Sequence, residues 1–196
     1  MKYTPLFRVH REAGALLEPL THGWAVPLRF GDVQEEARRT RESAGLADWS
    51  WTSKIDLKGQ GLQDATVGPG FRLWPLGGPH ALAICEPQDR PALETWIASR
   101  RLYATDVTGG YAHFLLAGPR ARGVLCKLTS LNLDAGGQAS VAHTHGVVVP
   151  EVLNGVHVYH ILVGREYGES VWHSVLHAGE EFQLRPVGVE AVRTLG

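Results

Sequence analysis

The chain has 196 residues, 44% of them apolar, with 19 basic against 20 acidic side chains and a formal net charge of -1. That length buries a core without disulfide or metal staples, and the balanced charge excludes the basic footprint of a nucleic-acid or anionic-lipid binder. Cys85 and Cys126 both sit in apolar runs and read as buried small hydrophobes rather than a disulfide framework; with no signal peptide and no run of about 18 apolar residues, a cytoplasmic protein is expected.

Residues 1–31, punctuated by Pro5, Pro19 and Pro27, read as an arm wrapping the body. Asp32 is placed to cap a helix from Val33 to Ala44. Glu35 and Glu36 favour its first turn, Arg38, Arg39 and Arg41 its later turns, and Gly45 is placed to end it. Thr52 to Lys58 then alternates, with Ser53, Ile55 and Leu57 on one face and Thr52, Lys54, Asp56 and Lys58 on the other, which predicts a half-buried strand stopped by Gly59-Gln60-Gly61. Leu76 to His80 is a turn ahead of an apolar strand from Ala81 to Cys85, and Pro91 to Ser99 is a helix carrying Trp96.

The same rhythm then recurs. Tyr111 to Ala117 is a strand stopped by Gly118, with Pro119 at the first turn of a helix. Asn154-Gly155 between apolar runs is a hairpin signal, its second strand runs from Val158 to Val163, and Gly168 to Leu176 is a helix carrying Trp172. Asp48 precedes Gly59 by 11 positions and Asp106 precedes Gly118 by 12; the two turns lie 77 apart and the two tryptophans 76. The spacing predicts two similar units, about 46–100 and 104–179, behind an N-terminal arm and helix, 1–45. Mixed strands and helices in this order predict an α+β domain of duplicated ferredoxin-like halves.

Three groups of residues are chemically suggestive. Arg165, Tyr167 and Glu169 cluster where the last hairpin strand meets its helix; a carboxylate in a first helical turn is favoured by the dipole and accepts paired N–H bonds from a pterin-like ring, while tyrosine offers a flat face. Helix capping with a surface ion pair accounts for the same pattern, but the equivalent loop of the first unit, Glu86 to Arg90, lacks it. Among the 10 histidines, His143 and His145 are placed on one face of a strand from Val141 to Val149, with His157 and His160 on its neighbour. Two such histidines and a third would seed a zinc site, yet only Glu151 stands near as a further ligand, and no metal is expected. Cys126, beside Lys127, lies on an apolar helical face, and no nucleophile elbow or phosphate loop is present. Trp49 and Trp51 share a face and read as an exposed interface patch.

Arg165-Glu166-Tyr167-Gly168-Glu169, the stretch from Ala178 to Val187-Gly188, Thr4-Pro5-Leu6 and His10 to Ala15 together resemble the folate-binding region of the glycine-cleavage T-protein (aminomethyltransferase) family. The matching family segment reads Arg-Thr-Gly-Tyr-Thr-Gly-Glu, one residue longer than here. The resemblance implies that Glu169 holds the pterin, with Tyr167 and Arg165 shaping its pocket, and that tetrahydrofolate is the cofactor. The family's acidic run after the first strand has no counterpart: Asp64 is the sole carboxylate between Gly59 and Glu86. Its C-terminal barrel domain is not expected either, since the sequence stops just past Val187-Gly188. In plan the chain is closest to the gamma subunit of heterotetrameric sarcosine oxidase. The resemblance therefore implies a folate-binding-like accessory protein of one-carbon metabolism with no catalytic residue of its own, no flavin and no metal. Its partners would be the larger chains of an amine-oxidising complex, or further copies of itself. The alternative is a tetrahydrofolate-dependent aminomethyltransferase whose acid is displaced to Asp64 or Asp48.

Overall fold

The computed structural model describes residues 1–20, 22–62, 65–67 and 69–195. The chain begins with β1 (Lys2–Tyr3), α1 (Phe7–Glu12), β2 (Leu16–Pro19), β3 (Trp24–Arg29), α2 (Val33–Glu42) and β4 (Gly45–Asp48). It continues through β5 (Ser53–Lys58), β6 (Phe71–Gly77), β7 (His80–Cys85), α3 (Arg90–Arg100) and β8 (Tyr103–Asp106). The last stretch holds β9 (Tyr111–Ala117), α4 (Ala121–Leu125), β10 (Gly137–Val141), β11 (Thr144–Leu153), β12 (Val156–Gly164), α5 (Gly168–Ala178), β13 (Arg185–Pro186) and α6 (Val189–Leu195). The architecture is α+β, as the pattern of elements implied.

Two compact units result, 1–50 with 111–196, and 51–110. The smaller carries a four-stranded sheet in the order β6-β7-β5-β8. Ile55, Leu57, Ala81, Ala83 and Cys85 line one face of it and pack on Leu93 and Ile97 of α3. The larger carries a six-stranded sheet, β10-β11-β12-β9-β4-β13, and a small one, β1-β3-β2. On one face of the six-stranded sheet, Leu46, Phe114, Leu116, Tyr159, Ile161 and Val163 meet Val171, Trp172 and Val175 of α5 in the main core.

The units seen in contacts divide the chain differently from the repeat seen in sequence. The strand leading each repeat pairs with the first long strand of the other: β4 lies antiparallel to β9, and β8 lies antiparallel to β5. β6-β7-β5-β8 thus has the same strand roles as β11-β12-β9-β4, with the leading strands exchanged.

Local signals account for most boundaries. Asp32 caps α2 by accepting from the Glu35 N–H at 2.9 Å. Asn154 and Gly155 form a two-residue turn with φ of 44° and 84° between the paired Leu153 and Val156, the geometry of the type I′ hairpin. Pro75 sits in β6, an edge strand, where no second neighbour needs its missing N–H.

Several expectations are corrected. Residues 1–20 and 22–31 carry β1, α1, β2 and β3, a small sheet and a helix of the larger unit. Pro27 is tolerated in the middle strand β3 because β1 pairs only as far as Ala25, so the missing N–H faces no neighbouring strand. Gly45 does not end α2, which stops at Glu42; it opens β4, where a Cβ would lie 2.4 Å from Thr40 Oγ1, so closeness rather than capping selects glycine. Lys54 is fully buried, not on a solvent face, and its Nζ donates to Thr52 O at 2.7 Å and Thr52 Oγ1 at 3.1 Å. Trp49 and Trp51 are buried, at 9% and 1% exposure, and make no exposed patch. Cys126 is exposed and lies one residue past the end of α4, outside the buried Ala121, Val124 and Leu125 of that helix.

Candidate functional site

The turn Arg165–Tyr167 is a single 3-10 turn that passes directly into α5. Gly168 opens the helix against β9, and a Cβ there would lie 2.8 Å from that of Ala112, so the close approach demands glycine. Helical periodicity then turns Val171, Trp172 and Val175 inward and leaves Glu169 and His173 outside. Glu169 lies in the first turn, and its Oε1 accepts from Arg8 Nη2 of α1 at 2.7 Å. The other arm of the same guanidinium donates to Glu12 Oε1 at 3.2 Å. Bonding to Glu169 raises the Arg8 pKa further above its ordinary value.

Between α1 and α5 lies a cavity of about 240 Å³. Val9, Phe30, Trp172, Leu176 and Pro186 form apolar walls, and Glu12, Glu169 and His173 stand at its rim. Of the three residues singled out in the sequence, Glu169 lines this cavity, whereas Arg165 and Tyr167 do not, and Tyr167 is 49% exposed. Glu12 belongs to the His10 to Ala15 stretch that carries the resemblance, whereas Arg8, which pairs with it, had no signal of its own, because α1 is a six-residue helix without a capping motif.

His10 also borders the cavity and is fully buried, wedged edge-on against Phe30 and Trp172. Its Nε2 lies 2.9 Å from Asp48 Oδ2, and Asp48 Oδ1 accepts from the Ser50 N–H at 2.9 Å. Burial alone would push the Asp48 carboxyl up, but the bond and charge of His10, followed by Ser50, outweigh it and hold the group below the usual carboxylate range. With Asp48 ionised, Nε2 carries the donated proton. His10 Nδ1 has no hydrogen-bond partner among the described residues.

A second polar cluster lies on the opposite face of the six-stranded sheet. Glu151 Oε2 is 2.6 Å from His160 Nε2, and His160 Nδ1 is 3.0 Å from His113 Nε2. His113 was not singled out in the sequence, although a histidine inside an apolar strand needs a polar partner. His143 and His145 do not share a strand face. Ala142 and His143 form a two-residue turn, φ 47° and 68°, between the paired Val141 and Thr144, so only His145 is on a strand. Among the described residues, no group of three His, Cys, Asp or Glu side chains is placed to hold a metal ion. Asp48, one candidate acid, is enclosed by its own partners; Asp64, the other, lies outside the described residues.

The model of the GCVT N-terminal domain matches residues 81–196. The chain is 29% identical over 232 aligned positions to an aminomethyltransferase of Halothermothrix orenii, covering 100% of this chain and 64% of that protein. It is 23% identical over 231 positions to the aminomethyltransferase of Chloroherpeton thalassium, again covering 100% of this chain and 64% of the relative. The chain thus spans less than two thirds of these relatives' length, and the alignments are longer than its 196 residues, so the relatives carry segments inside the matched span that it lacks. Among solved structures, the glycine cleavage system aminomethyltransferase T of Bartonella henselae matches with a TM-score of 0.80 at 20% identity, over 99% of this chain and 61% of that one. A chain of the heterotetrameric sarcosine oxidase of Corynebacterium sp. U-96 matches with a TM-score of 0.61 at 18% identity, over 94% of this chain and 97% of that one. No helix among the described residues is long and apolar enough to cross a membrane.

Proposed function

The chain belongs to the GCVT N-terminal domain family, and from that premise we propose that it is a folate-binding-like accessory protein of one-carbon metabolism, counterpart to the small subunit of a sarcosine-oxidase-type complex. The observation that supports this reading is the likeness of fold to a chain of a heterotetrameric sarcosine oxidase, with a TM-score of 0.61 over 94% of this chain. Larger amine-oxidising chains of the cytoplasm are the proposed partners, and these, not this chain, hold the flavin.

Tetrahydrofolate is the proposed small ligand, with Glu169 as the acceptor of its ring N–H groups and Tyr167 and Arg165 beside it. The residues fit such a group in one respect: Glu169 lines an apolar-walled cavity of about 240 Å³. When bound, tetrahydrofolate would accept a one-carbon unit. Glu169 would orient its ring, and the walls of Phe30 and Leu176 would exclude water from it.

A second reading, a tetrahydrofolate-dependent aminomethyltransferase, draws on the names of the relatives. The burial of Asp48 under His10 takes one of its two candidate acids out of reach of a ligand, which positioned acid–base catalysis needs, and leaves this reading to Asp64, outside the described residues. The deciding experiment pairs calorimetric titration of a reduced folate, on wild type and Glu169→Ala, with an assay of aminomethyl transfer by the chain alone. Binding lost in the variant without turnover supports the accessory reading; turnover by the chain alone supports the second.

A further inference from the structure

β8 (Tyr103–Asp106) is an edge of the four-stranded sheet, and all four of its residues are exposed, Tyr103 at 81%. The Val107 N–H donates to Lys54 O at 2.9 Å, which fixes the alternation along the strand. Tyr103 and Thr105, paired with Lys58 and Asp56, turn their backbone groups inward to β5; Ala104 and Asp106 turn theirs outward, where the sheet ends. Each other sheet edge among the described residues is blunted. β6 carries Pro75 and a bulge before Gly77, β2 ends on Pro19 and is bulged at Leu16, β13 is Arg185-Pro186, β1 opens on Lys2, and β10 opens on Gly137 with φ of 130°. β8 has no proline, lysine or bulge, and its one charge, Asp106, is held by Arg90 and the Thr108 N–H. In the six-stranded sheet β13 lies outside β4, the strand with the same role, whereas β8 ends its own sheet.

We propose that β8 pairs antiparallel with β8 of a second copy of this chain, about a two-fold axis at Ala104. The strand itself sets the register. Only outward-turned residues form hydrogen-bonded pairs across such an edge, so Ala104 faces Ala104 of the second copy and Asp106 faces Leu102 of the second copy. Tyr103 then lies opposite Thr105 of the second copy, an aromatic–β-branched pair of the kind that stabilises sheets. The row across the joined sheets reads Lys58 and Tyr103, then Thr105 and Asp56 of the second copy, with opposite charges at its two ends. An axis at Thr105 would instead set the two Asp106 carboxylates diagonally adjacent, a like-charge contact that disfavours it. A four-residue strand supplies a small contact, against about 1,200 Å² or more in stable complexes, so the association is reversible and depends on concentration. It does not rest on the folate reading.

The test uses the full chain in sedimentation velocity over rising concentration, as wild type and as Ala104→Pro. Proline at 104 removes only an outward N–H and leaves the β5 ladder intact, the setting in which edge strands tolerate it; circular dichroism confirms the fold. Wild type is expected to dimerise reversibly. Ala104→Pro, which deletes the two central hydrogen bonds, should weaken the dimer by about 5- to 150-fold. A second variant, Ala104→Cys with the exposed Cys126→Ser, should form a disulfide-linked dimer under mild oxidation, since hydrogen-bonded antiparallel pairs hold their Cα atoms about 5.5 Å apart. Amide exchange by NMR reads the edge directly: the Ala104 and Asp106 amides should gain protection with concentration, while that of Thr105, already bonded to β5, should not change. A wild type that stays monomeric leaves the edge to a strand of another chain and overturns the proposal. So does a dimer indifferent to Ala104→Pro, or an Ala104→Cys protein that fails to cross-link.

Discussion

Glu36 Oε2 accepts a hydrogen bond from the backbone N–H of Gly188 at 2.7 Å, across 152 positions of sequence. The other oxygen of the same carboxylate accepts from the N–H groups of Phe30 and Gly31, each at 2.6 Å. One side chain, 8% exposed, thus ties α2 to the end of β3 and to the start of α6. Hydrogen bonds to a charged acceptor contribute about 1.5–3 kcal/mol, and a buried donor left unpaired costs about 1–3 kcal/mol. Glu36→Ala is therefore expected to destabilise by about 3 kcal/mol in urea unfolding. Glu36→Gln should cost less, since its carbonyl keeps two of the donors while its amide opposes the Gly188 N–H. Equal stability of Glu36→Ala and wild type would remove the tie.

The buried His10–Asp48 pair sets an acid limit on stability. The Asp48 carboxyl is held below its ordinary range in the folded protein. A depressed folded pKa means that its contribution is fully present above the unfolded pKa of about 3.9 and is lost as pH falls through the folded value. Asp48→Asn leaves His10 without its charged partner and should cost about 3–5 kcal/mol near neutrality, the usual loss when one member of a buried pair is removed. The gap between wild type and variant should narrow below about pH 4. Parallel stability curves from pH 6 to pH 3 would show that Asp48 carries no such linkage.

Regular elements were legible where the sequence carried local physics. Asp32 and Asn154-Gly155 each encode a boundary within a few residues, and the alternation from Thr52 to Lys58 marks β5 as a strand, though not the burial of Lys54. The exchange of β4 and β8 was not legible, because each strand reads the same whichever sheet it joins. Within the site, Glu169 stood out by its place in a helical first turn. Arg8 did not, because its role arises from pairing with Glu169 of α5 across 161 positions, and the stretch from His10 to Ala15 carried a resemblance but not the partners of His10 and Glu12. The Ala142–His143 turn was missed for a simpler reason: the run holds no Asn-Gly or other hairpin pair, and Ala142 does not favour positive φ, so an apparently continuous strand hides a reversal.

The two cysteines should differ sharply in reactivity. Cys126 is exposed at the C-terminal end of α4. Cys85 is buried at 4% exposure at the end of β7, and burial pushes its thiol up to about 11. Since the thiolate is the nucleophile, iodoacetamide at pH 8 is expected to add one carbamidomethyl group to the native protein, at Cys126. The second should appear only after denaturation. Peptide mass spectrometry reads the site directly, and prompt native labelling of Cys85 would contradict the burial described.

Ala142 and His143 both adopt positive φ, at 47° and 68°, in a two-residue turn whose pairing, Val141 with Thr144, mirrors that of Leu153 with Val156 around Asn154-Gly155. A left-handed conformation costs an ordinary residue about 1–2 kcal/mol, and Asn-Gly is the pair best suited to this turn. Grafting it, Ala142→Asn with His143→Gly, relieves strain at both positions, offset by the added freedom of glycine in the unfolded chain, about 0.5–1 kcal/mol. The double variant is expected to be more stable by roughly 1 kcal/mol in thermal or urea unfolding. Its metal content should equal that of wild type by elemental analysis, since His143 sits at a turn tip outside any ligand group among the described residues. A loss of stability would mean that the His143 side chain makes a contact worth more than the strain it carries.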